Sequence, residues 1–83
     1  MSQRVLRLLG KPDCHLCHEM RDVVRSVLQG LDARLVEVDV AEDPELRRRY
    51  LLEIPVLLLG DVEIARHRTT PDELRRRLGA GGI

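Results

Sequence analysis

The stretch Val5-Leu6-Arg7-Leu8-Leu9-Gly10-Lys11-Pro12-Asp13-Cys14-His15-Leu16-Cys17-His18 decides how the rest of the chain is read. Val5 to Leu9 is a short apolar run suited to a buried strand, and Gly10-Lys11-Pro12-Asp13 reads as the turn that ends it. From about Cys14 to Gln29, the residues Leu16, Met20, Val23, Val24, Val27 and Leu28 recur at the three-to-four spacing of one buried helix face. Two cysteines one helical turn apart therefore stand where a strand gives way to a helix. The string Cys14-His15-Leu16-Cys17-His18 is open to two chemistries: C-x-x-C is a dithiol redox site, and C-x-x-C-H is an attachment signal for c-type haem with His18 as iron ligand.

Composition narrows the choice. At 83 residues with 43% apolar, the chain is expected to form one domain over residues 1–83 with a modest core. Tyr50 is the sole aromatic residue, so Val, Leu and Ile must fill the interior, and single-stranded nucleic acid finds no stacking surface. Fourteen basic and fourteen acidic residues cancel, which argues against a polyanionic partner. The runs Arg47-Arg48-Arg49 and Arg75-Arg76-Arg77 fall inside helical patterns and read as solvated faces. No segment approaches the roughly 20 apolar residues of a membrane span, and Met1 to Leu9 is too short an apolar stretch for a signal peptide. The expectation is a cytoplasmic monomer without nucleic-acid or membrane partners. In a reducing compartment, two cysteines that close almost no loop make a poor structural staple, so their spacing points to reaction or ligation.

Downstream, Val36, Val38 and Val40 alternate with Glu37 and Asp39 as in a strand, after Gly30 has stopped the first helix. Asp43-Pro44 reads as an N-cap and first-turn proline, with Leu46 and Tyr50 facing inward. That helix must end before Pro55. Val56 to Leu59 is an apolar run expected of a strand buried on both sides, and Gly60-Asp61 turns the chain into a second strand over Val62 to Ala65. Thr70-Pro71-Asp72-Glu73 has the form of a capping box opening a helix with Leu74 and Leu78 inward, and Gly79-Ala80-Gly81-Gly82 reads as its frayed end. The order is strand, helix, strand, helix, strand, strand, helix. Such a chain builds an α/β fold with a mixed four-stranded sheet, and right-handed crossovers put the first and third helices on one face and the second on the other.

At the start of the first helix the sulfur of Cys14 meets free backbone N–H groups and the positive helix end, which favour thiolate over thiol. Cys14 is thus the expected nucleophile, and Cys17, deeper along the helix, the thiol that attacks a mixed disulfide held on Cys14. His15 and His18 either tune that thiolate or are solvated residues of the first turn. Lys11 is a candidate for receiving a substrate carboxylate. A cis bond at Ile54-Pro55 would turn the Ile54 backbone toward the dithiol, where its N–H and C=O could clamp an extended substrate; an ordinary trans proline ending the second helix is the alternative.

With these landmarks in order, residues 4 to 79 resemble the thioredoxin fold, and more closely the small glutaredoxin-like proteins of bacteria. The resemblance rests on the strand leading into Lys11-Pro12-Asp13-Cys14-His15-Leu16-Cys17, the alternating strand ending at Asp39, the Leu46 to Tyr50 helix before Ile54-Pro55-Val56, and the Gly60-Asp61 hairpin with its final helix. It implies Cys14 as exposed nucleophile, Cys17 as resolver, and Pro55 cis beside them. It also implies Lys11 as a lysine that helps hold glutathione and Val56 as part of the backbone clamp. Two departures bear on substrate. Glutaredoxins usually carry Cys-Pro-Tyr-Cys, where this chain has His15 and Leu16 between the cysteines. Their paired-glycine turn after the last strand is replaced by Arg66-His67-Arg68-Thr69-Thr70, in which Thr69, Thr70 and the arginines are left to bind an anion at the last helix. The Trp-Cys-Gly-Pro-Cys of thioredoxins is equally missing.

Haem would need a second axial ligand, and Met20 follows His18 too closely, Met1 is terminal, and only His67 remains. It also leaves Ile54-Pro55 without a role. A zinc site using Cys14, Cys17, His18 or His67, an iron–sulfur cluster shared across a dimer, and a non-catalytic adaptor are further alternatives. The reading carried forward is a thiol–disulfide oxidoreductase that uses Cys14 and Cys17 and needs no cofactor. Its partners would be a disulfide-containing protein or glutathione, with an external thiol as reductant, and Lys11, His15, Leu16, Ile54, Pro55, Val56 and Thr69 are its expected substrate contacts.

Overall fold

The computed structural model describes residues 4–80; Met1 and the expected fraying at Gly81-Gly82 lie outside them. The elements run β1 (Arg4–Gly10), α1 (His15–Leu28), β2 (Ala33–Asp39), a 3-10 turn (Val40–Glu42), α2 (Pro44–Tyr50), β3 (Val56–Leu59), β4 (Val62–Arg66) and α3 (Pro71–Ala80). The sheet order is β2-β1-β3-β4. β1 pairs parallel with β2 and antiparallel with β3, and β3 pairs antiparallel with β4. This is the mixed sheet of the thioredoxin-like arrangement anticipated above.

Strand alternation sorts the core into two layers. Leu6 and Leu8 of β1, Leu57 of β3 and Ile64 of β4 join Met20, Val24, Val27, Leu28, Leu74 and Leu78 beneath α1 and α3. Leu9, Val56 and Leu58 point the other way and meet Val40, with Leu46, Tyr50 and Leu51 of the α2 segment packed against them. The α2 face is the thinner one, because α2 has no fully buried residue. Leu6, Leu57 and Leu74 are completely buried, each worth about 1.5–3 kcal/mol of transfer free energy.

The element ends show what decides them. Asp39 ends β2 and its carboxylate accepts the Ala41 N–H at 2.9 Å, so Val40 starts a 3-10 turn and does not extend the strand as its alternation implied. Asp43 caps α2 by accepting the N–H groups of Glu45 and Leu46 at 2.9 and 3.2 Å. Gly60 has φ 62° at the first position of a two-residue hairpin loop, a conformation glycine adopts without steric cost. In β4 the register passes from Ala65, opposite Leu57, to Glu63, opposite Leu58, leaving Ile64 as a bulged residue that is nevertheless buried.

At α3 only half of the expected capping box forms. Thr70 Oγ1 accepts the Glu73 N–H at 3.2 Å, but the Glu73 carboxylate accepts hydrogen bonds from Arg76 and Arg77 one turn along. Two guanidiniums outcompete one backbone N–H for the same anion. The helix also continues through Gly79 to Ala80. Leu74 and Leu78, both buried, hold that last turn to the sheet, and Gly79 alone does not stop it.

Candidate active site

β1 ends at Gly10, and the turn that follows is closed by the Cys14 N–H donating to the Lys11 carbonyl at 3.3 Å. Cys14 is then the N-cap of α1, with extended backbone angles, and its Sγ accepts the Cys17 N–H at 3.2 Å. A sulfur thus takes the place that a Ser or Asp oxygen usually holds at a helix start. Cys14 and Cys17 are joined as a disulfide with their Cα atoms 5.2 Å apart. They are unequal in exposure: Cys14 is half-buried, while Cys17 is 4% exposed.

Leu9 of β1 faces Val56 of β3, which brings the residue before Val56 to the sheet end from which the cysteine turn departs. That residue is Pro55, and the Ile54–Pro55 bond is cis. Pro55 is buried, and its carbonyl accepts the His67 N–H at 2.8 Å. Glu53 adds two further ties to the end of β4, with Arg66 at 3.1 Å and His67 at 3.8 Å. The Glu63 hydrogen bond, with help from Glu53, raises Arg66 above the ordinary arginine value. The proline loop and the β4–α3 junction are therefore one connected structure.

Two clefts are lined in part by the first turns of α1. One, of about 500 Å³, lies between α1 and α3, with Leu16, Met20 and Val23 as its apolar wall and His67, Arg68, Thr69, Thr70 and two glutamates around it. The other, of about 380 Å³, opens toward β2 and brings Gly10, Lys11, Cys17, His18 and Asp39 together. The expected contact residues are accordingly divided. Leu16 and Thr69 share the first cleft, Lys11 lines the second, and neither cleft includes Ile54 or Val56.

Several of these residues are already engaged. Lys11 stands 3.8 Å from Asp13, and the exposed His15 imidazole pairs with Glu19 at 3.2 Å along the outer face of α1. The Val56 side chain is fully buried in the α2-side core, and its backbone lies in register with Leu9 of β1 and Arg66 of β4. Of the two Ile54 backbone groups expected to clamp a substrate, the N–H donates to the Tyr50 carbonyl at 3.1 Å, closing the end of α2. The Ile54 N–H is thus already paired within the fold.

Two participants carry little signal in the sequence. His67, weighed above only as a metal ligand, has φ 65° and sits in a tight turn in which the Arg68 N–H donates to the Arg66 carbonyl at 2.7 Å. It lies in the Arg66 to Thr70 segment that joins β4 to α3. Gly10 reads simply as a turn glycine, yet it is buried beside Cys17. Among the described residues there is no group of three or more His, Cys, Asp or Glu side chains arranged to hold a metal ion, and no helix is long and apolar enough to cross a membrane.

Comparison with known proteins places this geometry. A protein-family model described as Glutaredoxin-like domain (DUF836) matches residues 5–79. Among solved structures, the chain is similar to the structural-genomics target XcR50 from X. campestris, at 28% identity and TM-score 0.78 over 90% of this chain and 96% of that one. It is also similar to protein Ne2328 from Nitrosomonas europaea, at 26% identity and TM-score 0.77 over 98% and 93% of the two chains. The oxidized mitochondrial thioredoxin 3 of Saccharomyces cerevisiae shares the fold at 20% identity and TM-score 0.70, over 96% and 80%. No curated protein matches the sequence. Since the family match runs from the first strand of the sheet into the last helix and takes in both cysteines, the chain belongs to the glutaredoxin-like domain family.

Proposed function

We propose that this protein is a thiol–disulfide oxidoreductase in which Cys14 attacks and Cys17 resolves. The observation that carries the reading is the asymmetry of one bonded pair: a half-buried cysteine at a helix start with an N–H directed at its sulfur, and a partner cysteine that is 4% exposed. In the reductive direction, the Cys14 thiolate attacks a substrate disulfide and displaces one substrate sulfur as thiolate, which takes a proton from solvent. Cys17, having lost its proton, then attacks Cys14 Sγ. The Cys14–substrate bond breaks, the Cys14–Cys17 bond forms, and the second substrate sulfur leaves with the electron pair. The substrate gains two electrons and the cysteine pair loses them. An external thiol restores the dithiol by the same exchange in reverse.

The substrate is a disulfide-containing protein or a glutathione disulfide, and the cleft beside Leu16 is where its flanking groups are expected to lie. The apolar wall of Leu16, Met20 and Val23, with Arg68 and Thr69 lining the same cleft, supports that placement. The Cys17→Ser variant, exposed to cell extract and resolved by mass spectrometry, tests the reading. A partner held through Cys14 is expected, and glutathione or a protein on that sulfur tells the two substrate classes apart. If C14S reduces disulfides as fast as the unaltered protein, the mechanism is wrong.

A further inference from the structure

Of the four glycines among the described residues, three have room for a side chain: a Cβ built on Gly30, Gly60 or Gly79 meets nothing within 4 Å. Gly30 and Gly60 are explained by their backbone, with φ 81° and 62°. Gly10 is the opposite case. Its φ is not positive, it ends β1 in register with Asp39, and a Cβ on it would stand 2.8 Å from Cys17 Sγ and 3.0 Å from Cys17 Cβ. Ordinary contacts between non-bonded heavy atoms lie near 3.5–4.0 Å. The bare Cα of Gly10 is what leaves room for the Cys17 sulfur.

We infer that Gly10 is a positioning residue for Cys17, holding its sulfur where it can close on Cys14. The kinetic part of this inference rests on the reading of Cys17 as resolver; the equilibrium part does not. α1 cannot retreat as a whole from an added methyl, because Met20, Val24, Val27 and Leu28 are packed into the same core as Leu6 and Leu8 of β1. The 3.0 Å contact with Cys17 Cβ is the same in dithiol and disulfide, but the closer one, at Sγ, is relieved by rotation of the Cys17 side chain. In the dithiol that rotation is free to occur. In the disulfide it is blocked by the bond to Cys14, so a methyl on Gly10 penalises the oxidised pair more than the reduced one.

The experiment is Gly10→Ala, with Gly79→Ala as the control that has space for its methyl. The Cys14–Cys17 disulfide is equilibrated against a reference dithiol, a measurement that requires no substrate turnover. G10A is expected to shift this equilibrium toward the dithiol by at least tenfold, and G79A by less than twofold. With a model mixed disulfide formed on Cys14, G10A is expected to release the leaving thiol at least tenfold more slowly, while iodoacetamide alkylates reduced Cys14 at an unchanged rate. A general loosening of the fold would alter both rates. An equilibrium within twofold of the unaltered protein overturns the inference. Should G10A fail to fold, the double variant G10A/C17G, which removes both contacting atoms, decides: recovery of folding identifies the Cys17 side chain as the obstruction, and continued failure overturns the inference. If the unaltered protein reduces no disulfide, the proposed function fails, and the equilibrium still decides the role of Gly10.

Discussion

The backbone N–H of Cys17 points at the Sγ of Cys14 across 3.2 Å, so the deeper cysteine supplies the hydrogen bond that holds the outer one at the helix start. This bond has a reactive consequence. A donor aimed at sulfur favours the thiolate, while burial disfavours it at Cys17. In the reduced protein at pH 7, iodoacetamide is expected to label Cys14 at least tenfold faster than Cys17, read by peptide mapping. Comparable labelling of the two would contradict the asymmetry on which the proposed mechanism depends.

The turn at His67 yields a comparison of two variants. An L-residue with a Cβ at φ 65° carries a left-handed penalty of about 1–2 kcal/mol, from which glycine is exempt, and glycine gives back roughly 0.5–1 kcal/mol through its freer unfolded chain. Both H67G and H67A lose the Glu53 contact, so that term cancels. H67G is expected to be more stable than H67A by about 0.5–1 kcal/mol in urea unfolding; the reverse order would refute a steric origin.

The two sheet faces differ in what they can lose. Leu74 is fully buried under α3, and Leu74→Ala is expected to cost about 2–5 kcal/mol. Leu46 is half-buried on the thinner face, and Leu46→Ala should cost about 1 kcal/mol. Denaturant midpoints at constant slope check the ranking. A larger loss at Leu46 would mean that the α2 face holds more of the stability than its burial indicates.

Capping of α3 rests on Thr70 alone, since Glu73 is taken by Arg76 and Arg77. Thr70→Ala is therefore expected to cost about 0.5–1 kcal/mol, the lower part of the usual range for an N-cap. Glu73→Gln should cost less than about 0.5 kcal/mol, as its partners are exposed side chains. A loss at E73Q equal to that at T70A would indicate that the full box forms in solution.

Much of this architecture was legible because local signals agreed. The apolar run Val5 to Leu9, the spacing of Met20, Val24 and Val27, and the Asp43-Pro44 and Thr70-Pro71 caps each name an element, and each element is found. The cysteine pair was legible for the same reason, as its spacing coincides with a strand-to-helix junction. What escaped the sequence was set by competition between partners. Val40 fits a strand pattern until the Asp39 carboxylate captures the Ala41 N–H. Ile54 offers an N–H to a substrate until Tyr50 takes it, and Glu73 completes a capping box until two arginines do the same. Gly10 resembles any turn glycine, because its neighbour Cys17 is brought to it only by the folded helix.

The hydrogen bond from Ile54 to Tyr50 ties one edge of the cis-proline loop to the most thinly covered helix. Segments with little buried area open at lower free energy than the global core, and amide exchange registers that opening. The Ile54 amide should consequently exchange with the α2 segment and well before those of Leu57 and Leu8. Each such opening frees the Ile54 N–H from Tyr50, so the thinnest layer of the molecule sets how firmly the backbone just before Pro55 is held.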